Sequence, residues 1–136
     1  LDNRNNELYT ERMTEYQGEK RENAVNFIEL NLMTAQTIDL IDPDGNTDTQ
    51  KVEANLQQIT QRINKLQPGT TSETQNAVRE YQDSVKEFVA EARNYIIINS
   101  SYGEAYTQLF IKYNKMVGKA NVVNMAELDA TDQKKK

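Results

Sequence analysis

The chain is 136 residues long and only 37% apolar, a length normal for one domain but a composition that supports only a thin core. Its net charge of −5 comes without a large basic region, Lys134-Lys135-Lys136 being an isolated tail, which argues against sequence-independent nucleic-acid binding, since that needs rows of Lys and Arg facing phosphates. With no Cys and no His, thiol nucleophiles, disulfides, haem attachment and ordinary zinc sites are excluded too; no enzymatic centre and no cofactor is expected.

The two prolines mark turns. Asp42-Pro43-Asp44-Gly45-Asn46 combines a fixed φ with residues that tolerate positive φ, and Gln67-Pro68-Gly69 repeats the device. Asn99 to Gly103 is a weaker break, with Gly103 placed to close a helix in the left-handed conformation. These signals divide a single domain, 1–136, into four segments at about 3–42, 48–67, 72–99 and 104–131. Thr47 with Gln50 and Ser72 with Gln75 fit capping boxes at two of the starts. A helix continuous through 99–103, giving three helices instead of four, is the alternative.

The first segment opens on a polar stretch, 3–22, whose sizeable apolar or aromatic groups are Leu8, Tyr9, Met13 and Tyr16. Its second half is apolar on two faces. Val25, Ile28, Leu32 and Ala35 form one stripe; Phe27, Leu30, Ile38 and Ile41 lie roughly opposite. One helix of a four-helix monomer has no neighbours for both. The expectation is therefore a homodimer whose interface holds Phe27, Leu30, Thr34, Ile38 and Ile41, assisted by Ile111, Val122 and Met125 of the last segment.

In the second segment Val52, Leu56, Ile59, Ile63 and Leu66 make a stripe roughly 80° wide at about 100° per residue. Val78, Tyr81, Val85, Phe88, Ala92 and Tyr95 do the same in the third. Tyr106, Leu109, Phe110, Tyr113, Met116, Val117, Ala120 and Val123 form a broader one in the fourth. Seams of this kind are how antiparallel bundles bury a core, so the predicted fold is all-α, an up-down-up-down four-helix bundle with a long first helix.

A long first helix, a tight distal turn at Pro43-Asp44-Gly45, a shorter second helix and two further antiparallel helices resemble the four-helix-bundle extracytoplasmic sensor domains of methyl-accepting chemotaxis proteins and related sensor kinases. The resemblance covers nearly the whole chain and rests on pattern, not on a signature motif. It implies a periplasmic, ligand-binding module of a bacterial transmembrane receptor, dimeric, tethered by membrane spans outside this sequence, and signalling by helix or dimer-interface shifts. In amino-acid-sensing members, arginines on the first helix hold a ligand carboxylate. Here Arg21 is the one arginine in the middle of that helix, and no binding residue is carried over.

Candidate sites follow from the residues themselves. At 1.5 Å per residue down from the distal turn, Asn31 and Thr34 fall near Lys112 and Lys115, while Arg93 falls close to Tyr106 and Thr107. Asn31, Thr34, Arg93, Tyr106, Thr107 and Lys112 are thus the predicted ligand-binding set, with convergent donors for an anion. Tyr102, Tyr106 and Tyr113 follow helix spacing and read as core. Asp42, Asp44, Asn46, Asp48, Gln50 and Glu53 have the spacing of a calcium-binding EF-hand loop. Glycine stands at the wrong position, however, and a turn followed by an N-cap is the stronger reading. Glu87 and Glu91 read as solvent-facing charge. Besides a sensor, an interaction bundle docking a protein partner through apolar faces of its first and fourth helices satisfies the same pattern.

Overall fold

The computed structural model describes residues 19–42, 46–69, 71–98 and 103–135, with side chains described from 25 to 97 and from 103 to 126 within those ranges. Four helices follow in chain order: α1 (Glu19–Leu40), α2 (Thr49–Lys65), α3 (Ser72–Ile98) and α4 (Gly103–Lys135). No strand occurs among the described residues. The protein is an all-α four-helix bundle, as the periodicity predicts. Residues 3–18 of the polar opening, with Leu8, Tyr9, Met13 and Tyr16, lie outside the described residues, as do Pro43, Asp44, Gly45 and Tyr102.

The caps of α2 and α3 each lie one residue from prediction, for local reasons. Asp48, not Thr47, caps α2: its carboxylate accepts from the Lys51 amide at 3.2 Å. The Thr47 hydroxyl accepts instead from the Asp42 amide at 2.8 Å, closing the distal turn. At α3 the cap is Thr71, whose hydroxyl accepts from the Thr74 amide at 3.1 Å, while the Thr74 hydroxyl accepts from the Thr71 amide at 3.0 Å. That is the reciprocal logic of a capping box with a threonine in the usual Glu position. Gly103 does not close α3. It opens α4, and its carbonyl accepts from the Thr107 hydroxyl at 2.8 Å.

One core joins all four helices. Val52, Leu56, Ile59 and Ile63 from α2, Tyr81, Val85, Phe88 and Ala92 from α3, and Leu109 and Met116 from α4 are almost wholly enclosed. Gln82 of α3 reaches the end of α2 and donates to the Ile63 carbonyl at 3.2 Å, beside the bond that carbonyl accepts from the Leu66 amide at 3.3 Å. α3 and α4 share the largest contact, α1 lies on α2 and α2 on α3, and α1 and α4 touch least. Because α3 and α4 pack side by side, the chain reverses between them; a single continuous helix would not.

The two faces of α1 are assigned the other way round from the expectation. Phe27, Leu30, Thr34, Ile38 and Ile41, expected at a dimer interface, are buried within the single chain. Phe27 stacks tilted on Tyr81 with centroids 5.0 Å apart, and the Thr34 and Thr37 hydroxyls donate to backbone carbonyls of their own helix. Val25, Ile28 and Leu32 face outward instead, Leu32 at 57% exposure. The cause is continuity. The inner stripe stays apolar, or carries a self-satisfied threonine, up to the distal turn, whereas four-residue steps from Leu32 meet Gln36 and from Ala35 meet Asp39.

Candidate functional site

Between α1 and α4 the described residues leave a concave surface. It is an open cleft of about 230 Å³ lined by Asn31 and Thr34 from α1 and by Tyr113, Met116, Val117, Ala120 and Asn121 from α4. It sits where the bundle is most loosely closed. The floor is apolar, from Met116 and Ala120, both buried. The rim carries two carboxamides, a hydroxyl and a phenol.

These polar groups are held from below. The Tyr81 phenol, fully buried on α3, donates to Asn31 Oδ1 at 3.2 Å, and the Thr34 hydroxyl donates to the Asn31 carbonyl at 3.0 Å. Burial pushes the Tyr81 phenol far above its ordinary value, so it stays a neutral donor. Among the described residues no charged one lines the cleft.

The predicted binding set is therefore divided. Asn31 and Thr34 belong to the cleft, at the level of α4 anticipated by the residue count. Lys112 and Lys115 of that level are not among its described lining residues. Lys115 Nζ donates to Glu87 Oε2 of α3 at 2.9 Å, a bond that, joined by the Lys112 and Lys115 charges and only partly opposed by desolvation, holds the Glu87 carboxyl below its ordinary value. Arg93 is not near Asn31 either: it pairs with Glu53 of α2 at 3.2 Å. Tyr106 is half-buried in a run of rings, 6.2 Å from Tyr95 and 5.1 Å from Phe110. Thr107 is exposed, its hydroxyl directed at its own helix. An anion site built from Arg93 and Lys112 is thus not assembled: Arg93 is paired with Glu53, and neither cation is among the described residues of the cleft.

Residues that the sequence reading did not assign to a ligand complete the cleft: Met116, Val117, Ala120 and Asn121, with Tyr113 read only as core. Asn121 was the legible signal, a carboxamide one turn beyond Val117 on a helix flank without charge. The Arg21 side chain lies outside the described ones. For the acidic loop, Asp44 lies outside the described residues, Asp48 caps α2 and Glu53 is engaged by Arg93. No group of three potential metal ligands converges among the described residues.

Ion pairs mark three of the four seams. Arg62 pairs with Glu29 between α1 and α2, Arg93 with Glu53 between α2 and α3, and Lys115 and Lys119 with Glu87 and Glu80 between α3 and α4. Among the described residues none bridges α1 and α4. No helix among them is long and apolar enough to cross a membrane. No family model, no curated protein and no solved structure matches the chain.

Proposed function

We propose that this bundle is a sensory module, the extracytoplasmic ligand-responsive part of a bacterial transmembrane receptor of the chemoreceptor type. The observation that supports the reading best is the α1–α4 seam: loosely packed, free of ion pairs among the described residues, and indented by a cleft. In an up-down-up-down bundle, α1 and α4 are also the helices that bring the chain in and out at one end. A ligand seated between them alters their relative position, and packed seams respond by moving between discrete arrangements. The shift is limited by the ligand's differential affinity for the two arrangements.

The test is a distance between spin labels at Gln36 on α1 and Asn114 on α4, both exposed, recorded alongside thermal shift for organic acids, amino acids and small aromatics. At least one class should raise the melting temperature and displace the distance distribution. Invariant distances and melting temperatures across the set would remove the sensory reading.

A second reading, an interaction bundle, is favoured by a different observation. Ile28 and Leu32 on α1 and Ile111, Val122 and Met125 on α4 are uncovered. A helical partner or a second copy of this chain would cover them.

A further inference from the structure

We propose that the α1–α4 cleft takes a small, uncharged molecule that offers a hydrogen-bond acceptor to the Asn31 carboxamide. The assignment rests on the sensory reading of the same cleft and adds the chemical class of its ligand.

Charge decides first. Among the described residues the lining carries none, and Lys115 and Lys119 of α4 are directed to Glu87 and Glu80 of α3. An ionised ligand entering the cleft would lose hydration and meet no opposite charge, which disfavours its binding strongly. A neutral molecule loses little by the same transfer and gains contact with Met116, Val117 and Ala120.

Polarity decides next. The buried Tyr81 hydroxyl is a donor bonded to Asn31 Oδ1 at 3.2 Å. That bond takes one lone pair of the oxygen and fixes which way the carboxamide faces, leaving its amino group, which donates and accepts nothing, for a ligand. The Thr34 hydroxyl has its proton on the Asn31 carbonyl. The α1 wall of the cleft thus offers a carboxamide donor fixed by a core tyrosine, and a carbonyl or ether oxygen is its complement. Size decides last. At about 230 Å³ the cleft is below the roughly 300–1,000 Å³ of sites for drug-sized molecules, so the occupant is a compact one.

The test uses three probes of one shape: cyclohexanone, cyclohexanecarboxylate and methylcyclohexane. Each is titrated into the ¹⁵N-labelled chain while the Asn31 side-chain amide and the backbone amides of Val117 and Asn121 are followed by NMR. Cyclohexanone should shift all three sets and the other two probes should bind weaker. Removing the donor should weaken cyclohexanone about tenfold, the equivalent of one hydrogen bond. Asn31→Leu removes it but strands the Tyr81 hydroxyl, so Asn31→Leu with Tyr81→Phe is the companion variant that keeps the core satisfied. Tighter binding of the carboxylate at these amides overturns the ligand class and leaves the sensory reading standing. Absence of any shift at the cleft, or an unchanged affinity in the double variant, overturns the assignment, while the α1–α4 distance under the metabolite set decides the sensory reading separately.

Discussion

Two glycines respond in opposite senses to the same substitution. At Gly69 an added Cβ would overlap the Thr74 side chain and stand 2.9 Å from the Thr74 backbone carbon. Thr74 has no freedom to yield, because its hydroxyl and amide are both bonded to Thr71 in the α3 cap. Gly69→Ala should therefore destabilise by about 1–3 kcal/mol, the range for overpacking. At Gly118 an added Cβ meets nothing within 4 Å, and Gly118→Ala should stabilise α4 by about 0.5–1 kcal/mol. Urea unfolding of the two variants checks both signs at once. Tyr81 gives a pH-dependent counterpart. Its phenol is raised above 10.0 by burial, so its contribution is complete below that value and is lost as pH climbs beyond it, when the unfolded chain ionises and the folded one does not. Tyr81→Phe should lower stability by about 1 kcal/mol at neutral pH through the lost Asn31 bond. It should also flatten the alkaline decline relative to the parent, as melting temperatures from pH 8 to 11 would record.

Between helices, charge registers what apolar stripes alone leave open. Lys112, Lys115 and Lys119 recur at helical spacing on one flank of α4, and two of them meet acidic partners on α3. Glu87 is depressed by its hydrogen bond from Lys115. Its contribution is therefore present above its ordinary value of 4.5 and is lost as pH falls below that value toward the depressed one. The pair is exposed, so the effect is small. Lys115→Met should cost little at pH 7, and acid melts of parent and variant should converge as pH drops below about 4.5. Helix number and type were legible because proline turns and stripes of period 3.6 coincide. The stripes of α2, α3 and the inner half of α4 were legible because each has one apolar face. α1 has two of similar bulk, and the choice between them lay in where each stripe ends: Asp39 stands one step beyond Ala35, while Ile41 completes the other. The cleft was half legible. Asn31 and Thr34 followed from counting turns, but the direction of Lys112, Lys115 and Arg93 depended on which acidic residues faced them across a seam, and a single helix's sequence does not contain that.

Among the described side chains the ion pairs are gathered on three seams, and none crosses the fourth. From Ala105 to Ala126 the only charged residues of α4 are its three lysines, all on the α3 flank. The opposite flank, with Phe110, Val117, Asn121 and Met125, continues across the cleft to Ile28 and Leu32 of α1, and all but Asn121 among these are large apolar residues at least 37% exposed. A surface of this character in water favours association. A second copy docking there would need to bury about 1,200–2,000 Å² in total to be stable, and the exposed apolar residues of α1 and α4 provide a long face for it. Sedimentation equilibrium of the parent chain should then show a monomer–dimer equilibrium. Leu32→Glu should shift it to monomer without lowering the melting temperature at low concentration, because Leu32 lies outside the core. Ile38→Glu, on the buried face of the same helix, should instead unfold the bundle at any concentration. A parent chain that stays monomeric up to millimolar concentration would leave the outer face of α1 to a partner of another kind, and the small-molecule cleft beside it would have to act within a single chain.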